Sequence, residues 1–501
     1  MSHTDDKSVH IAELMATSGV KFGTSGARGL AADMSDEVCY AYTRAFLQYL
    51  MSTGEMVSGT TVAIAGDYRP STPRIMAATA MAIEDAGCQV LNCGFIPTPA
   101  VTCYAMAQGC PSLMVTGSHI PDDRNGIKFN KPGGEILKQD ERGICQQSVT
   151  IPAEKFDAQG RAVTPLQLAV QDDRAYQAYV QRYLDFFPAN CLSGRRVAVY
   201  EHSSVARDVM AEIITGLGGE VIRLGRSETF IPVDTEAVRP EDIALAAQWA
   251  AEHGFDCIIS ADGDGDRPLV GDEHGEWLRG DVAGILCARY LNADSVATPV
   301  SSNSAVEKCG WFTRVARTRI GSPFVITAMN EAVDNGAPSV VGYEANGGFL
   351  IATNIEQNGK RLSALPTRDA LIVHLTILLS AIAVSLPVSE LLAQLPQRFT
   401  HSDRLKEFPT ELSQQRIAAF NSGDFAADKK AIEQMFGEYF GTVKNVDVTD
   451  GVRITFDNDE VVHLRPSGNA PELRCYNEAA TDDRAKAMNR RCLELMNGWR
   501  K

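Results

Sequence analysis

Ser118 and His119 stand side by side in Thr116-Gly117-Ser118-His119-Ile120-Pro121, directly after the apolar run 112–115, and Lys128 follows on the next extended piece. The apolar run reads as a buried strand. Pro121 and Asn125-Gly126 are expected to keep the following segment looped. A hydroxyl, an imidazole and an ammonium offered together at a sheet rim suit a serine that carries a phosphoryl group beside a proton-transfer partner. A second segment, Asp262-Gly263-Asp264-Gly265-Asp266-Arg267, follows the apolar stretch 255–259. Its alternating carboxylates repel one another unless a cation joins them. Hard oxygen donors at this density suit Mg²⁺, or Ca²⁺.

Two other readings of the acidic loop compete. An EF-hand loop needs glycine at its sixth position, where Arg267 stands, and the flanks read as strands rather than helices. A haloacid-dehalogenase-type phosphatase begins Asp-x-Asp-Gly-Thr/Val after an apolar strand. Asp262 to Gly265 fit that start, but Asp266 occupies the Thr/Val place. In that alternative Asp262 is a covalent nucleophile, and Ser118 and the C-terminal arginine loop have no task.

Three more segments offer polar groups. Glu344 and Asn346 lie among glycines in Gly342-Tyr343-Glu344-Ala345-Asn346-Gly347-Gly348, a carboxylate and a carboxamide suited to sugar hydroxyls. Arg465, Ser467, Gly468 and Asn469 form a compact phosphate cradle in Leu464-Arg465-Pro466-Ser467-Gly468-Asn469. Near the N-terminus, Gly26-Ala27-Arg28-Gly29 is read as presenting Arg28 on a tight, exposed loop. No P-loop and no Gly-x-Gly-x-x-Gly fingerprint occurs, so nucleotide and NAD use are not expected.

The elements that must hold these loops follow a repeat. A strand at 62–67, a helix at 73–87 and a strand at 89–93 form one unit. The pattern returns as 197–200, 205–217 and 220–224, and again as 295–300, a short helix and 313–317. Apolar strands alternating with helices imply parallel, buried sheets with crossover helices. From about residue 387 the chain is richer in charge. Strands at 443–448, 451–456 and 461–464 and a helix at 482–497 predict a smaller α+β unit with an antiparallel sheet. Breaks near 158–163, 272–275 and 386–387 divide the chain into 1–160, 161–274, 275–386 and 387–501. The fold class is thus α/β, three similar mixed α/β domains followed by a C-terminal α+β domain.

Composition narrows the classes. Hydrophobic content of 45% and charged content of 22% are those of a globular chain. A net charge of −16 argues against general nucleic-acid binding. An anionic substrate therefore needs a local cluster of Arg and Lys. The apolar stretch 371–387 contains His374 and several hydroxyl residues and reads as a buried helix rather than a membrane span. The N-terminus lacks the build of a signal peptide. Twelve scattered cysteines without zinc spacing point to a reducing compartment, the cytoplasm.

Taken in order, the five segments resemble the α-D-phosphohexomutase family. Its members carry Gly-Thr-Ser-Gly-x-Arg-Gly, Thr-x-Ser-His-x-Pro, Asp-Gly-Asp-x-Asp-Arg, Gly-Glu-x-Ser-Gly and Arg-Pro-Ser-Gly-Thr motifs, matched here between residues 22 and 478. The resemblance implies four domains around a central cleft: a phosphoserine loop in the first, a metal loop in the second, a sugar loop in the third and a phosphate loop in the fourth. It implies that Ser118 carries the phosphoryl group. One Mg²⁺ would be bound by Asp262, Asp264, Asp266 and an oxygen on Ser118. Glu344 and Asn346 would read the sugar. Arg465, Ser467, Gly468 and Asn469 would hold the non-reacting phosphate, and Arg28, His119, Lys128 and Arg267 would assist proton transfer and neutralise charge.

The implied reaction interconverts hexose 6-phosphate and hexose 1-phosphate through a hexose 1,6-bisphosphate, with Lys128 or His119 as the general base. The phosphorylated hexose is the expected partner, without nucleic acid or membrane, and the enzyme is expected to be a monomer or homodimer. Ile120, Asn346, Gly348, Asn469 and Ala470 depart from the common motif residues Asn, Ser, His, Thr and Glu. The departures in the sugar and phosphate loops favour mannose phosphate, with glucose phosphate or dual use as the alternative.

Overall fold

The computed structural model describes residues 6–23, 26–467 and 471–500. Its first three units share one sheet plan. In the first, Thr61–Gly66 lies between Gln89–Asn92 and Ser112–Val115, parallel to both, and Arg124–Lys131 adds antiparallel to Ser112–Val115. In the second, Arg196–Tyr200 lies between Glu220–Leu224 and Cys257–Ala261, and Pro268–Gly271 adds antiparallel. In the third, Ser295–Pro299 lies between Arg314–Thr318 and Val340–Tyr343, Phe349–Ile351 adds antiparallel, and Leu365–Asp369 follows it. Each of the loops 116–123, 262–267 and 344–348 joins the third strand of its unit to that antiparallel fourth strand. The repeat thus delivers three chemically different loops to equivalent places, at the carboxyl ends of parallel strands where α/β sheets open their crevices.

Local sequence explains the elements. Val62, Ala63, Ile64 and Ala65 are fully buried, as a strand covered on both faces requires. The Thr72–Asp85 helix opens with Pro73 in its first turn, and Gly87 follows it at φ +70°. Ala370–Val384 is almost wholly apolar and mostly buried, and Asp369 caps it by accepting from the Leu371 N–H at 3.0 Å. Among the described residues no single helix is long and apolar enough to cross a membrane. One apolar cluster runs through all three units, joining Met114, Val199, Ile259, Val341 and Leu375.

The fourth unit has a separate core around Phe408, Phe436, Ile454 and Met488. Its five-stranded antiparallel sheet runs Phe399–Leu405, Leu473–Ala479, Val461–Pro466, Val452–Phe456, Val443–Asp447. The helix Asp482–Asn497 and the Phe425–Phe440 helix pack against this unit's strands. Residues 388–395 pack with the apolar cluster of the first three units, and the fourth sheet begins at Phe399. The edge strand Phe399–Leu405 and its neighbour Leu473–Ala479 lack an apolar alternation. Asn477 and Glu478 are buried there because partners satisfy them: Asn489 donates to the Asn477 carboxamide at 2.9 Å, and Arg398 to Glu478 at 2.6 Å.

Candidate active site

Ser118 sits at φ +58°, a left-handed conformation rare outside glycine, with a buried side chain. Three contacts hold it there. The Thr116 hydroxyl accepts from the Ser118 N–H at 2.7 Å. Arg69 donates to the Ser118 carbonyl at 2.8 Å and to the Pro121 carbonyl at 2.6 Å. Arg69 is fully buried against Asp67 at 3.0 Å and lies 4.1 Å from the centre of the Phe230 ring. Gly263 approaches from the second unit so closely that a Cβ there would lie 2.7 Å from the Ser118 carbonyl oxygen. The serine loop is therefore clamped between two units.

The Ser118 hydroxyl donates to Asp262 Oδ2 at 2.5 Å and lies 3.4 Å from His119 Nδ1. Asp262 Oδ1 accepts from the backbone N–H groups of Asp266 and Arg267, each at 3.2 Å. Asp264 Oδ2 accepts from Thr98 and from Lys128, both at 2.5 Å. Asp266 Oδ2 accepts from Lys128 at 2.5 Å and from Arg368 Nε at 3.0 Å. The other oxygens of Asp264 and Asp266 are buried and have no hydrogen-bond partner. The three carboxylates offer atoms within 4.8 Å of one another. Two orphaned carboxylate oxygens beside a third carboxylate are what a hard cation satisfies, so the donor set fits Mg²⁺.

Burial, then the charges of Asp264 and Asp266, hold the Asp262 carboxyl well above its ordinary range. Burial pushes Asp266 the same way, but Arg368, Lys128 and Arg267 outweigh it and leave Asp266 well below that range. Burial likewise opposes charge on Lys128, and Asp264 and Asp266 outweigh it, so its ammonium is held. For His119 burial and the neighbouring Arg267 act together and lower its pKa to about 3. Arg267 donates to His119 Nδ1 at 2.6 Å. That bond leaves the ring proton on Nε2, which lies 3.9 Å from Asp234.

Of the sequence-derived residues, Arg28, Ser118, Lys128 and Arg267 line one pocket, which Arg368 also lines. Arg28 is not on an exposed loop. It lies in the strand Gly26–Leu30, paired with Arg124–Lys131, and burial and Arg267 lower its pKa to about 10. Asn125-Gly126 is likewise strand rather than loop, because Gly26–Leu30 pairs along it. Glu344 is buried and accepts from Arg368 at 3.2 Å. Asn346 turns its carboxamide oxygen to the Gly348 N–H at 3.0 Å and offers its backbone carbonyl to Thr235 at 2.7 Å. Arg465 belongs to the fourth unit and donates to Asp450 at 2.9 Å, and the Ser467 N–H donates to the Glu472 carbonyl at 2.9 Å. Gly468 and Asn469 lie outside the described residues.

Sequence reasoning missed Arg69, Thr98 and Arg368. Arg69 lies in a connection and Thr98 opens the helix Thr98–Ala107, neither within a motif of its own. Arg368 is the penultimate residue of a short strand, Leu365–Asp369, whose sequence reads Leu-Pro-Thr-Arg-Asp. The one available signal was Gly348, a bare position in the sugar loop.

Four phosphoglucomutase/phosphomannomutase profiles match the chain in order: α/β/α domains I, II and III at residues 19–154, 174–275 and 279–399, and the C-terminal domain at 419–495. The chain belongs to the phosphoglucomutase/phosphomannomutase family and is a phosphohexomutase, an isomerase that shifts a phosphoryl group within a hexose phosphate. It is 43% identical to a phosphomannomutase of Salmonella muenchen, over 94% of this chain and 95% of that protein. A phosphomannomutase of Sinorhizobium fredii is 42% identical, over 96% and 99%. Among solved structures, a phosphoglucomutase/phosphomannomutase family protein from Burkholderia thailandensis shares the fold, with a TM-score of 0.71 at 20% identity over 95% of this chain and 97% of that one.

Proposed function

We propose that this enzyme interconverts mannose 6-phosphate and mannose 1-phosphate, with Ser118 as the phosphoryl carrier. The observation that carries the chemistry is the 2.5 Å approach of Ser118 Oγ to Asp262, at a pocket lined by Arg28, Lys128 and Arg267. The sugar assignment rests on the two 42–43% identical relatives, whose likeness spans nearly the whole chain.

In the forward direction a sugar hydroxyl attacks phosphorylated Ser118. The Ser–O–P bond breaks, a sugar–O–P bond forms, and the hydroxyl proton passes to a base. The mannose 1,6-bisphosphate turns end for end, and its other phosphoryl group returns to Ser118. Arg28, Lys128 and Arg267 meet the charge spread over the transferring oxygens. Lys128 acts as a cation, since its ammonium is shared by two carboxylates. His119, neutral and 3.4 Å from the Ser118 hydroxyl, is the better proton acceptor once Arg267 turns to substrate. Asp262, Asp264 and Asp266 would hold one Mg²⁺, which, when bound, supplies charge neutralisation at the phosphoryl group. Glu344 and Asn346 would read the sugar hydroxyls, and the Arg465 to Asn469 segment the distal phosphate.

The test is kcat/KM on mannose 1-phosphate, glucose 1-phosphate and glucosamine 1-phosphate, with a trace of hexose bisphosphate, for wild type and Ser118→Ala. Mannose 1-phosphate is expected to be preferred, and Ser118→Ala to lose turnover by about 10³-fold or more. Equal rates on mannose and glucose would make the enzyme bifunctional. Near-normal turnover in Ser118→Ala, or an aspartyl-phosphate trapped on Asp262, would overturn the serine mechanism.

A further inference from the structure

Arg368 is a cation of this pocket that belongs to none of the five motif segments. Its side chain is 3% exposed, and its guanidinium bridges two loops. Nε and NH2 lie 3.0 and 2.9 Å from Asp266 Oδ2 on the metal loop, and NH1 donates to Glu344 Oε2 at 3.2 Å on the sugar loop. The fork has five N–H groups. At most three serve those carboxylates, and the side chain also lines the pocket that Ser118 shares with Arg28, Lys128 and Arg267.

The neighbours of Arg368 fix its place. Thr367 donates to Glu135 at 2.7 Å, and Ser322 donates to the other oxygen of Glu135 at 2.8 Å. On the other side Asp369 accepts from Tyr179 at 2.6 Å and from Tyr183, and caps the Ala370–Val384 helix. Both flanking side chains are buried. Gly348 has no positive φ, so its backbone does not demand glycine. Space does: a Cβ there would lie 2.5 Å from Arg368 Cδ and 2.7 Å from Cγ. The bare position in the sugar loop is the channel through which Arg368 reaches the site.

We propose that Arg368 is a catalytic residue of the reaction above, donating to the oxygens of the phosphoryl group at Ser118 while it ties Glu344 to Asp266, and that Gly348 is glycine so that Arg368 can pass. The inference rests on the mutase reading. A bidentate fork between two carboxylates aligns the sugar loop with the acidic loop, and its remaining N–H groups meet charge that grows during transfer. Lysine cannot supply both functions.

The experiment measures kcat and KM on mannose 1-phosphate for Arg368→Gln, Arg368→Lys, Gly348→Ala, Arg368→Ala and the Gly348→Ala/Arg368→Ala double variant, with thermal midpoints to verify folding. Titration of Ser118→Ala and Ser118→Ala/Arg368→Gln with mannose 1-phosphate adds a readout independent of turnover. Arg368→Gln is expected to lower kcat by about 10²-fold. Arg368→Lys should recover less than about tenfold of that. The Kd of mannose 1-phosphate should rise in the double variant of the titration. Gly348→Ala should be damaging beside Arg368 but cost less than about threefold in the Arg368→Ala background, because the clash is gone. Wild-type kcat in a folded Arg368→Gln protein, or an equal cost of Gly348→Ala in both backgrounds, would overturn the proposal. A wild type without mutase activity would instead overturn the reading on which it rests.

Discussion

Ser118 stores its strain where the proposed chemistry needs a fixed oxygen. A non-glycine residue in the left-handed region costs about 1–3 kcal/mol unless its surroundings impose it. Here Thr116, Arg69 and the close approach of Gly263 impose it. Gly263→Ala is therefore expected to push the Ser118 carbonyl and the Phe230 ring aside, since the added carbon would stand 2.7 and 3.1 Å from them. An ångström of displacement at the proposed phosphoryl carrier is worth about 10²-fold in kcat. Steady-state kinetics on a variant that still folds would check it, and an unchanged kcat would mean that the loop tolerates movement. The acidic loop makes a second residue-scale prediction. Asp264→Asn or Asp266→Asn leaves Lys128 with one carboxylate and weakens any cation site, so EDTA should abolish wild-type turnover, Mg²⁺ restore it, and either variant demand more Mg²⁺. Full activity in metal-free wild type would contradict this.

At the scale of elements, the Ala370–Val384 helix carries its own pH signature. His374 is fully buried in it, and burial lowers its pKa from 6.5 to about 3. The unfolded chain thus binds a proton that the folded one refuses. Stability from this group is complete above pH 6.5 and is lost as pH falls toward about 3, at up to about 1.4 kcal/mol per pH unit. His374→Leu should flatten the fall of the thermal midpoint below pH 6.5, and an unaltered slope would assign it to other groups. This helix was legible in the sequence as one apolar stretch, and so were the repeated strand–helix–strand units, because buried parallel strands and glycine-ended helices leave local signals. The loops at 116–123, 262–267 and 344–348 were legible for the same reason: each interrupts an apolar run with polar residues and glycine. What stayed hidden is long-range. Thr98 meets Asp264 across two units, Arg69 reaches the Ser118 carbonyl from a turn, and Arg368 meets Glu344 through space left by Gly348. Leu473–Ala479 stayed hidden because Asn477 and Glu478 interrupt its apolar pattern, although distant partners satisfy both.

At the scale of the molecule, the proposed reaction has two parts of one substrate held by bodies with separate cores. The pocket around Ser118 is lined by residues of the first three units, whereas Arg465 and Ser467 belong to the fourth. The third and fourth units meet at a buried polar anchor. Glu478 accepts from the Ser304 N–H at 2.8 Å, from the Ser304 hydroxyl and from Arg398 at 2.6 Å, and Asn303 donates to the Arg398 carbonyl at 2.8 Å. A second contact joins the Ile320 N–H to Asp450 at 3.0 Å, and Asp450 also takes Arg465 at 2.9 Å. A few polar contacts beside a separate core, these two and the ion pair of Lys308 with Asp459 at 2.8 Å, are the arrangement of a hinge, and a phosphate that engages Arg465 competes for the bond to Asp450. A hexose phosphate bridging the two bodies should therefore draw the fourth unit toward the pocket. In solution scattering, saturating mannose 1-phosphate is expected to reduce the radius of gyration of Ser118→Ala, which binds without turning over. Arg465→Ala in that background should abolish the change and raise the Kd by about 10-fold or more. A radius that stays the same in Ser118→Ala at saturation, with binding verified by calorimetry, would mean that the cleft is rigid and that the sugar turns within a fixed space.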